Sequence, residues 1–480
     1  MDIFNLLDIT KLSSSEIITP QNVVDDMVNL LFESINKDLD NNPELELHKM
    51  KFLDPACKSA RFLTTLRDRL MNHPRMIKEL PNKSDRLTNI LENQLFGIAT
   101  TQTTWLISMR TLYGCLPERT NIICIDRYLQ LMADKTTDYK ALVKKGFRKE
   151  DMTFDVVISN PPYQQSNGGG NGSGAISIYD KFVMGAIEVS KRFVCVITPI
   201  RWYAGNKRLE SLRQELTTSN KLLEFHDYPN TNELFGDTVY VMGGCCYYLY
   251  DKMYDGPCKI IRHRDSGQEV STRYMLENDC DIFIRDTIAA NIIAKIKNTK
   301  VQYMDTVISA TVPFGIPTNE KGSIIQSKEN NIIMFITGNE MKGGGVGYIS
   351  EEDVTKNKHL IDKHKIFINT ASDNMLNFPY SVLYKPFYGE PNTVCNGSYI
   401  LIGNITSKEY CENIISYLCT KFVRTLVLQR KSDQRVYAST FKYVPMQDFT
   451  HPWTDQQLYE KYNLTQEEID YIEKTIKPMN

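Results

Sequence analysis

The stretch from Phe154 to Tyr163 reads FDVVISNPPY and decides the fold of the chain. Its first half is a short β-branched apolar run, which is typical of a buried strand in a parallel sheet. Pro161 and Pro162 cannot continue a strand, because neither has a donor N–H and both have a fixed φ. The strand is therefore predicted to end at Asn160, at the carboxyl edge of the sheet, where open α/β sheets bind their ligands.

The groups that this turn presents suit the methylation of a planar amine. An exocyclic amine on a nucleobase or an amide is a weak nucleophile, because its lone pair is delocalised into the π-system. The side-chain oxygen of Asn160 and the carbonyl of Pro161 would accept hydrogen bonds from such an amine and localise the lone pair, and the ring of Tyr163 would stack on a flat substrate. The candidate catalytic residues are therefore Asn160, Pro161, Pro162 and Tyr163. The alternative is an ordinary strand end with Tyr163 in the core.

The composition fits two domains with sizeable cores, because the chain has 480 residues, of which 42% are hydrophobic and 24% charged. No apolar run reaches membrane-spanning length and no signal segment opens the chain, so an intracellular protein without a membrane partner is expected. The 11 cysteines are an odd number without a C-x-x-C pair, which favours reduced, mostly buried thiols over disulfides or a zinc site. A net charge of −2 is mild evidence against a nucleic-acid partner, but a local basic face would suffice to bind one.

A capped amphipathic helix is predicted near the start of the chain. Thr19 is a fair N-cap, and Pro20 would occupy the first helical position, where its missing N–H costs nothing. The apolar residues that follow recur at helical spacing and form one face, made of Val23, Val24, Met27, Val28, Leu30 and Leu31. The spacing alone indicates a helix that packs on a core, and nothing more.

A second motif, FLDPACKSARFL, runs from Phe52 to Leu63. A short strand passes into small residues and then into a helix, predicted from about Phe62 to Leu70. Small residues at such a strand–helix junction let a nucleotide-like ligand approach the backbone and the N-terminus of the helix. The candidate ligand-binding residues of this loop are Asp54, Pro55, Ala56 and Cys57.

Two further strands are predicted, Gln94–Thr100 and Asn121–Asp126. The order of helices and strands up to the Asn-Pro-Pro-Tyr turn is that of a doubly wound α/β sheet. Such folds usually end the second strand with an acidic residue that binds ribose hydroxyls. Ala99 holds that place here, so the hydroxyl of Thr100 or Thr101 would have to make a weaker, neutral hydrogen bond.

The region after the turn offers candidate contacts to a nucleotide. Residues 164–174 are rich in glycine and fit a lid, a backbone contact to phosphate or a flexible linker. A buried strand is predicted at Phe193–Pro199, and Arg201 and Trp202 follow it at the same edge of the sheet. A basic and an aromatic side chain suit a splayed-out nucleotide, although a solvated helix start would look the same. The last strand of this domain is predicted at Val239–Tyr250.

The patterning changes from about residue 256, which predicts a second domain. Its predicted elements are a helix at Ile282–Ile296, a flexible turn at 341–348, a strand at Tyr399–Ile402 and a helix from Ser407 to about Leu428. Basic residues then lie among aromatic ones, namely Lys421, Arg424, Arg430, Lys431, Arg435 and Lys442. Such a mixture suits a phosphate-rich partner, whereas a charge run is more often a solvated face. Arg430, Lys431 and Arg435 are the candidate DNA contacts.

Asn-Pro-Pro-Tyr after an apolar strand resembles the catalytic motif of amino-methyltransferases that use S-adenosylmethionine. That group includes adenine-N6 DNA methyltransferases and the glutamine methyltransferases of release factors. The Asp54–Leu63 stretch matches the family pattern Asp-Pro-Ala-Cys-Gly-Ser-Gly-x-Phe-Leu except at Lys58 and Ala60, where glycines are expected. Lys58 would either adopt a backbone region that suits glycine better or line the entrance for the cofactor or DNA with its side chain. The order of the motifs, with a separate carboxy-terminal domain, resembles the γ-type adenine-N6 DNA methyltransferases of the Eco57I-like restriction-modification branch.

The resemblance implies a fold, a domain division and a cofactor. Residues 1–255 would form a Rossmann-like, S-adenosylmethionine-dependent methyltransferase domain, and residues 256–480 a mixed α+β target-recognition domain. The segment of Thr19 and Pro20 would close over the methionine part of S-adenosylmethionine. The carboxylate of Asp126 would accept a hydrogen bond from the adenine amine of the cofactor, although an Asp after a strand is often only a turn residue.

The resemblance also implies site-specific adenine-N6 methylation of double-stranded DNA, with the target adenine rotated out of the duplex. An aromatic residue of the last strand would pack on the opposite face of that base; Tyr248 is the first choice and Tyr247 the reserve, because strand alternation turns only one inward. A restriction-modification system would add a separate restriction endonuclease as partner. Two alternatives stay open: a DNA-binding scaffold that has lost catalysis, which Lys58, Ala60 and Ala99 motivate, and a methyltransferase acting on RNA or on a protein glutamine.

Overall fold

A mixed β-sheet runs through residues 1–275, the first of two compact units into which the chain divides; the second unit is residues 276–480. The computed structural model describes residues 11–479 apart from 14–15, 135, 151, 166–175, 205–206, 237–238, 240, 242, 265–266, 278, 338–344, 373–377 and 432–433. The strands described in the first unit are β1 Lys11–Ser13, β2 Glu16–Ile17, β3 Phe52–Cys57, β4 Leu95–Ala99, β5 Ile122–Cys124, β6 Phe154–Ser159, β7 Gln164–Gln165, β8 Ile176–Ser177, β9 Ser190–Pro199, β10 Leu222–Tyr228, β11 Cys245–Asp251, β12 Cys258–Arg264 and β13 Gly267–Arg273.

The order of the strands confirms the predicted α/β fold. In the part of the chain that the structure describes, nine strands form one sheet in the order β13-β12-β10-β11-β9-β6-β3-β4-β5. The strands from β9 to β5 in this order are parallel, and β11 is antiparallel to both of its neighbours. The carboxyl ends of β3 and β6 therefore lie side by side in the middle of the sheet, where the sequence places both motifs.

Helices connect these strands. Those described in the first unit are α1 Gln21–Asn41, α2 Arg61–Met71, α3 Pro74–Glu79, α4 Lys83–Asn89, α5 Gln102–Tyr113, α6 Tyr128–Ala133, α7 Tyr139–Phe147, α8 Tyr179–Val189, α9 Glu210–Thr218 and α10 Asn232–Phe235. The apolar face predicted for α1 is buried throughout. The helix begins one residue later than predicted, because Pro20 is extended, with φ −57° and ψ 149°, and is itself the capping residue.

The strand β11, which was predicted at Val239–Tyr250, begins later than the sequence pattern predicts. The strand starts at Cys245 rather than at Val239, since Gly243 and Gly244 directly before it have φ values of 85° and 96°, which lie outside the extended region. A Cβ on Gly244 would lie 2.2 Å from the carbonyl oxygen of Tyr228. A larger residue could not bring the backbone this close, so the tight turn fixes where β11 enters the sheet.

The second unit has a mixed α+β architecture. Its described strands are β14 Ile332–Ile336, β15 Gly345–Ile349, β16 His364–Asn369, β17 Phe387–Gly389, β18 Thr393–Cys395 and β19 Tyr399–Ile405, which form two sheets, β15-β14-β18 and β17-β16-β19. Its described helices are α11 Thr287–Lys297, α12 Lys408–Cys419, α13 Lys421–Arg430, α14 Asp455–Lys461 and α15 Gln466–Thr475. The single helix predicted from Ser407 to Leu428 is two helices, because Thr420 is extended and caps α13 by accepting from the N–H of Val423.

The division between the units falls at residue 275, after the predicted domain boundary at 255. The strands β12 and β13 account for the difference, because β12 pairs with β10 and extends the sheet of the first unit. Residues 166–174 of the glycine-rich stretch and residues 341–344 of the predicted flexible turn lie outside the described residues. The prediction of a turn is wrong at 345–348, because these residues pair with β14 as part of β15. All 11 cysteines are free, and most are buried, as predicted. Among the described helices, none combines the length and the apolar character needed to cross a membrane.

Candidate active site

A cleft that is partly open to solvent lies at the carboxyl ends of β3 and β6. Three segments that are far apart in the sequence line it: the residues before α1, the loop between β3 and α2, and the end of β6. The lining residues are Ile17, Ile18, Thr19, Asp54, Ala56, Lys58, Ser59, Ala60, Arg61, Phe62 and Asn160. The structure thus brings together residues from all three predicted motifs.

Asn160 is buried at the wall of this cleft, and its amide is held in one orientation. Its Nδ2 donates to Oγ1 of Thr19 at 3.0 Å and to the carbonyl oxygen of Ile17 at 3.4 Å. A carbonyl oxygen can only accept, so the amide nitrogen faces Ile17 and Oδ1 points the other way. Oδ1 is buried and has no hydrogen-bond partner among the described residues. A buried acceptor left unsatisfied is costly, which is a mark of a site that awaits a donor.

Lys58 also reaches Asn160. Its Nζ donates to the carbonyl oxygen of Asn160 at 2.9 Å and to that of Ile17 at 2.8 Å. The expectation that Lys58 takes a glycine-like backbone is wrong, since its φ is not among the positive values. The left-handed residue of this loop is Ala60, with φ 58° and ψ 23°, just before α2. The backbone cost of replacing the family's glycines therefore falls on Ala60.

Asp54 puts a buried carboxyl in the floor of the cleft. Its Oδ1 accepts from Oγ of Ser159 at 2.8 Å and from the N–H of Ala56 at 3.1 Å. Burial nevertheless raises the pKa of this carboxyl from 3.8 to about 6, although these two hydrogen bonds and the charge of Lys58 act in the opposite direction. Asp54 is therefore a carboxylate that a cation would stabilise further.

Pro55 and Cys57, which were also predicted to bind the ligand, make contacts within the protein that hold the backbone of this loop. The carbonyl oxygen of Pro55 accepts from the hydroxyl of Tyr128 at 3.0 Å. Cys57 is fully buried and pairs with Ala99 of the neighbouring strand, and burial raises the pKa of its thiol well above the usual range. Sequence reasoning missed Tyr128 and also Arg61, whose Nη1 donates to the carbonyl oxygen of Thr19 at 2.7 Å.

The residues predicted to bind the ribose and adenine of the cofactor do not line this cleft. Ala99 and Thr100 are buried at the end of β4, and Oγ1 of Thr100 lies 3.3 Å from Oγ1 of Thr104. The hydroxyl of Thr101 accepts from the N–H of Thr104 as the cap of α5. The carboxylate of Asp126 is 96% exposed, and its Oδ2 lies 4.0 Å from Nε of Arg127.

The aromatic residues near the turn are packed rather than open. The ring of Tyr163 is partly buried; it meets Tyr179 edge to face at 6.5 Å, and its hydroxyl lies 3.9 Å from Sγ of Cys245. Tyr247 and Tyr248 are both buried and alternate along β11, as predicted for a strand. Their neighbours differ accordingly, since Tyr247 stacks on His226 at 4.2 Å and Tyr248 stacks on Phe225 at 6.1 Å.

The basic residues singled out as DNA contacts differ in exposure. Arg201 is exposed, whereas Trp202 is fully buried and meets Phe225 edge to face at 5.9 Å. In the second unit, Arg435 is exposed. Lys431 is 1% exposed and donates to Oγ of Ser372 and to the carbonyl oxygen of Val382, so its ammonium has no open path to a phosphate.

Arg430 forms an ion pair within its own unit. Its Nη1 lies 2.5 Å from Oδ1 of Asp281, and its guanidinium stacks 5.0 Å from the ring centre of Tyr443. Lys442 contacts the same carboxylate at 2.7 Å, and these partners hold the pKa of Asp281 well below its usual range. A carboxylate that neutralises two cations weakens the attraction of this surface for phosphate.

Comparisons with known proteins agree with the sequence and the geometry. Residues 93–235 match the model of the Eco57I restriction-modification methylase family, a range that contains Asn160 and Tyr163. The chain is 24% identical over 370 residues to an uncharacterized adenine-specific methylase from Mycoplasma pneumoniae, covering 63% of this chain and 84% of that protein. The predicted resemblance to Eco57I-like methylases is confirmed.

One solved structure extends this comparison to the fold. The Type IIL restriction-modification enzyme MmeI, solved in complex with DNA, matches with a TM-score of 0.51 and 13% identity over 95% of this chain and 71% of that chain. The modification subunit of a putative type I restriction enzyme from Vibrio vulnificus YJ016 matches with a TM-score of 0.37 and 14% identity. The match covers 54% of this chain and 49% of the subunit, so the chain spans about half the subunit's length.

Proposed function

We propose that this chain, whose residues 93–235 carry an Eco57I-type restriction-modification methylase domain, methylates N6 of adenine in double-stranded DNA with S-adenosylmethionine as methyl donor. The observation that carries the proposal is Oδ1 of Asn160, a buried acceptor without a partner among the described residues, at the wall of the cleft. The adenine specificity follows the Mycoplasma pneumoniae relative and the asparagine of the Asn-Pro-Pro-Tyr turn.

The residues of the cleft fit S-adenosylmethionine, which when bound supplies a methyl group on a positively charged sulfur. Asp54 offers a buried carboxyl whose raised pKa reflects the cost of an uncompensated negative charge, and a cationic ligand offsets that cost. Ala56, Ser59 and Ala60 line the cleft with small side chains, which would let a ligand approach the start of α2. Thr19, Asp54, Ala56, Ser59 and Ala60 are the residues that would hold the cofactor.

Asn160 and Pro161 would act on the target amine by accepting one hydrogen bond each from its two N–H groups. Pro161 has no N–H, so its carbonyl is not opposed by a neighbouring donor of the same residue. Thr19 and Ile17 keep the amide of Asn160 turned with Oδ1 available, so no reorganisation is needed when the amine arrives. The amine would take the methyl group directly and then release one proton to water, so the rate would depend on positioning and polarisation rather than on a general base.

The target adenine has to leave the duplex to reach Asn160, at a cost of a few kcal/mol. Stacking on Tyr163 and backbone contacts to DNA would offset this cost. Arg201 and Arg435 are the exposed basic residues of the predicted set and would serve as phosphate contacts. A separate restriction endonuclease would complete a restriction-modification system, with this chain as the modification component.

The test compares Asn160→Ala with Asn93→Ala, the same substitution at an exposed position of the first unit. Transfer of labelled methyl groups to unmethylated DNA is measured and the modified nucleoside is identified by mass spectrometry. We expect Asn160→Ala to lose about 10³-fold in turnover, because one acceptor of the polarising pair is removed. Calorimetric titration with S-adenosylmethionine should give affinities within about twofold for all three proteins, because Asn160 acts on the amine.

Three results would contradict the proposal. Undiminished methyl transfer by Asn160→Ala would remove the catalytic role of its amide. A wild-type protein that takes up no S-adenosylmethionine would be a scaffold. Methylation of RNA or of a glutamine-containing peptide in preference to DNA would assign a different substrate to the same turn.

A further inference from the structure

The ammonium of Lys58 lies where three segments of the first unit meet. Its hydrogen bonds to the carbonyl oxygens of Ile17 and Asn160 join residues that are 41 and 102 positions away in the sequence. The side chain is 6% exposed, so these bonds are shielded from water. Both acceptors belong to segments that line the cleft.

These contacts close a ring of hydrogen bonds around Asn160. The main chain of Asn160 is bound by Lys58, and its side-chain nitrogen by Oγ1 of Thr19. Lys58 also binds the carbonyl oxygen of Ile17, and Arg61 binds that of Thr19, so the segment before α1 is held at two points. Asn160 is thereby fixed to the segment before α1 in two ways: its backbone through Lys58, which binds Ile17, and its side chain directly through Thr19.

We infer that Lys58 is a positioning residue for methyl transfer, an inference that rests on the proposed function. The carbonyl group of Asn160 is joined directly to the nitrogen of Pro161, so its direction sets the plane of the peptide that precedes the second acceptor. Because Pro161 has no N–H, the backbone at this point has one hydrogen bond fewer with which to hold its conformation. Lys58 supplies the missing restraint.

A glycine at position 58 would have no side chain with which to make either bond. The lysine at this position has no conformational cost from a left-handed backbone, since Lys58 is not among the residues with positive φ. The two hydrogen bonds described for Lys58 lead to main-chain oxygens of the protein, which favours positioning over a direct contact to the carboxylate of the cofactor. The two roles predict different kinetics, since positioning changes turnover and a cofactor contact changes affinity.

The experiment uses Lys58→Met, which keeps the length of the apolar stem and removes the donors. Lys83→Met, the same substitution at an exposed position of α4, is the matched control, and Lys58→Arg is the conservative variant. We expect turnover of Lys58→Met to fall about 10²-fold, as misplacement of reacting groups by about 1 Å does. The dissociation constant for S-adenosylmethionine should stay within about twofold, and Lys58→Arg should recover part of the turnover.

Hydrogen–deuterium exchange of the protein without ligands supplies a readout that does not depend on activity. The amides of residues 17–24 and 154–160 should exchange faster in Lys58→Met than in Lys83→Met, because the link between the two segments is cut. Lys58→Gly with n-butylammonium added is the second variant, since this ion replaces the missing side chain. Its presence should slow exchange in the same segments and restore turnover in a concentration-dependent way.

The outcomes separate this inference from the proposed function. Turnover and exchange of Lys58→Met that equal those of the control would overturn the inference. A dissociation constant for S-adenosylmethionine raised more than tenfold, with unchanged exchange, would also overturn it, because Lys58 would then be a cofactor contact. If the wild-type protein transfers no methyl group to DNA, the proposed function fails, whereas faster exchange confined to Lys58→Met still supports the link between the segments.

Discussion

Replacing Asp54 with asparagine is expected to stabilise the first unit at neutral pH. The carboxyl is 3% exposed, and Oδ1 accepts hydrogen bonds from Ser159 and Ala56. Asparagine keeps an oxygen in that place, so both bonds can persist, while the charge that burial disfavours is gone. The cost of the buried amide nitrogen does not depend on pH, so the change of this effect between two pH values isolates the cost of an ionised carboxylate in the floor of the cleft.

The pKa of Asp54 sets the size and the pH window of this effect. Burial raises the pKa from 3.8 to about 6, so the folded state holds the proton more tightly than the unfolded state. The stability that the wild-type Asp54 contributes is therefore fully present below pH 3.8, where the carboxyl is protonated, and is lost as the pH rises through about 6. The corresponding difference in the free energy of unfolding is about 3 kcal/mol at pH 8 and about half of that at pH 5.

The free energy of unfolding of the first unit alone is measured by urea titration at pH 5 and pH 8. Unfolding is followed by pulsed hydrogen exchange on peptides from β3 and β6. With a slope of about 2 kcal/mol per molar urea, the midpoint of Asp54→Asn should exceed that of the wild type by about 1.5 M at pH 8. Asp40→Asn, at an exposed position of α1, should shift neither midpoint. A gain that is equal at both pH values, or a loss that appears only at pH 8, would refute the reasoning.

Two further predictions concern residues beside the cleft. Ala60→Gly should raise the free energy of unfolding by about 1 kcal/mol in the same titration, because φ is 58° at this position, while Ala141→Gly, at an exposed position of α7, should lower it by a similar amount. Tyr163→Phe should keep kcat/KM for DNA methylation within about threefold, since the ring remains, whereas Tyr163→Ala should lose about 10–100-fold. Equal losses in both variants of Tyr163 would place its role in the hydroxyl.

The parallel centre of the sheet could be predicted because its strands are buried on both faces. Such strands appear in the sequence as continuous apolar runs, and β3, β4, β5 and β6 begin within one residue of the predicted positions. The hairpin of β12 and β13 was not predicted, because these strands are not buried on both faces. It lies at the edge of the sheet and carries polar side chains between apolar ones, so its sequence does not differ from that of a loop region.

Breaks inside predicted elements were harder to foresee, because they depend on single backbone angles. Thr420 divides a helical pattern that is otherwise continuous, since its extended backbone starts a new helix whose first turn its own hydroxyl caps. Gly243 and Gly244 shorten β11 through positive φ values. The apolar pattern continues through both places, so periodicity alone could not show where the chain changes direction.

The residues of the site were predicted from local motifs, but their partners were not. The hydroxyl of Thr19 was expected to cap a helix, yet it accepts from the side chain of Asn160, 141 positions later. The hydroxyl of Tyr128 was not singled out, although it donates to the carbonyl oxygen of Pro55. Such contacts join segments that only the folded sheet brings together, and nothing in the composition of either segment records them.

Positions 58 and 60 show why a departure from a family pattern has to be judged on the backbone. Both replace glycines, but only Ala60 has a left-handed conformation and therefore a backbone cost. At Lys58 the larger side chain has no such cost, and it makes two hydrogen bonds that glycine could not make. Lys58, which motivated the alternative of a scaffold without catalysis, therefore links the segments around Asn160. Of the two departures from the pattern, only the one at position 58 supports the turn that would bind the target amine.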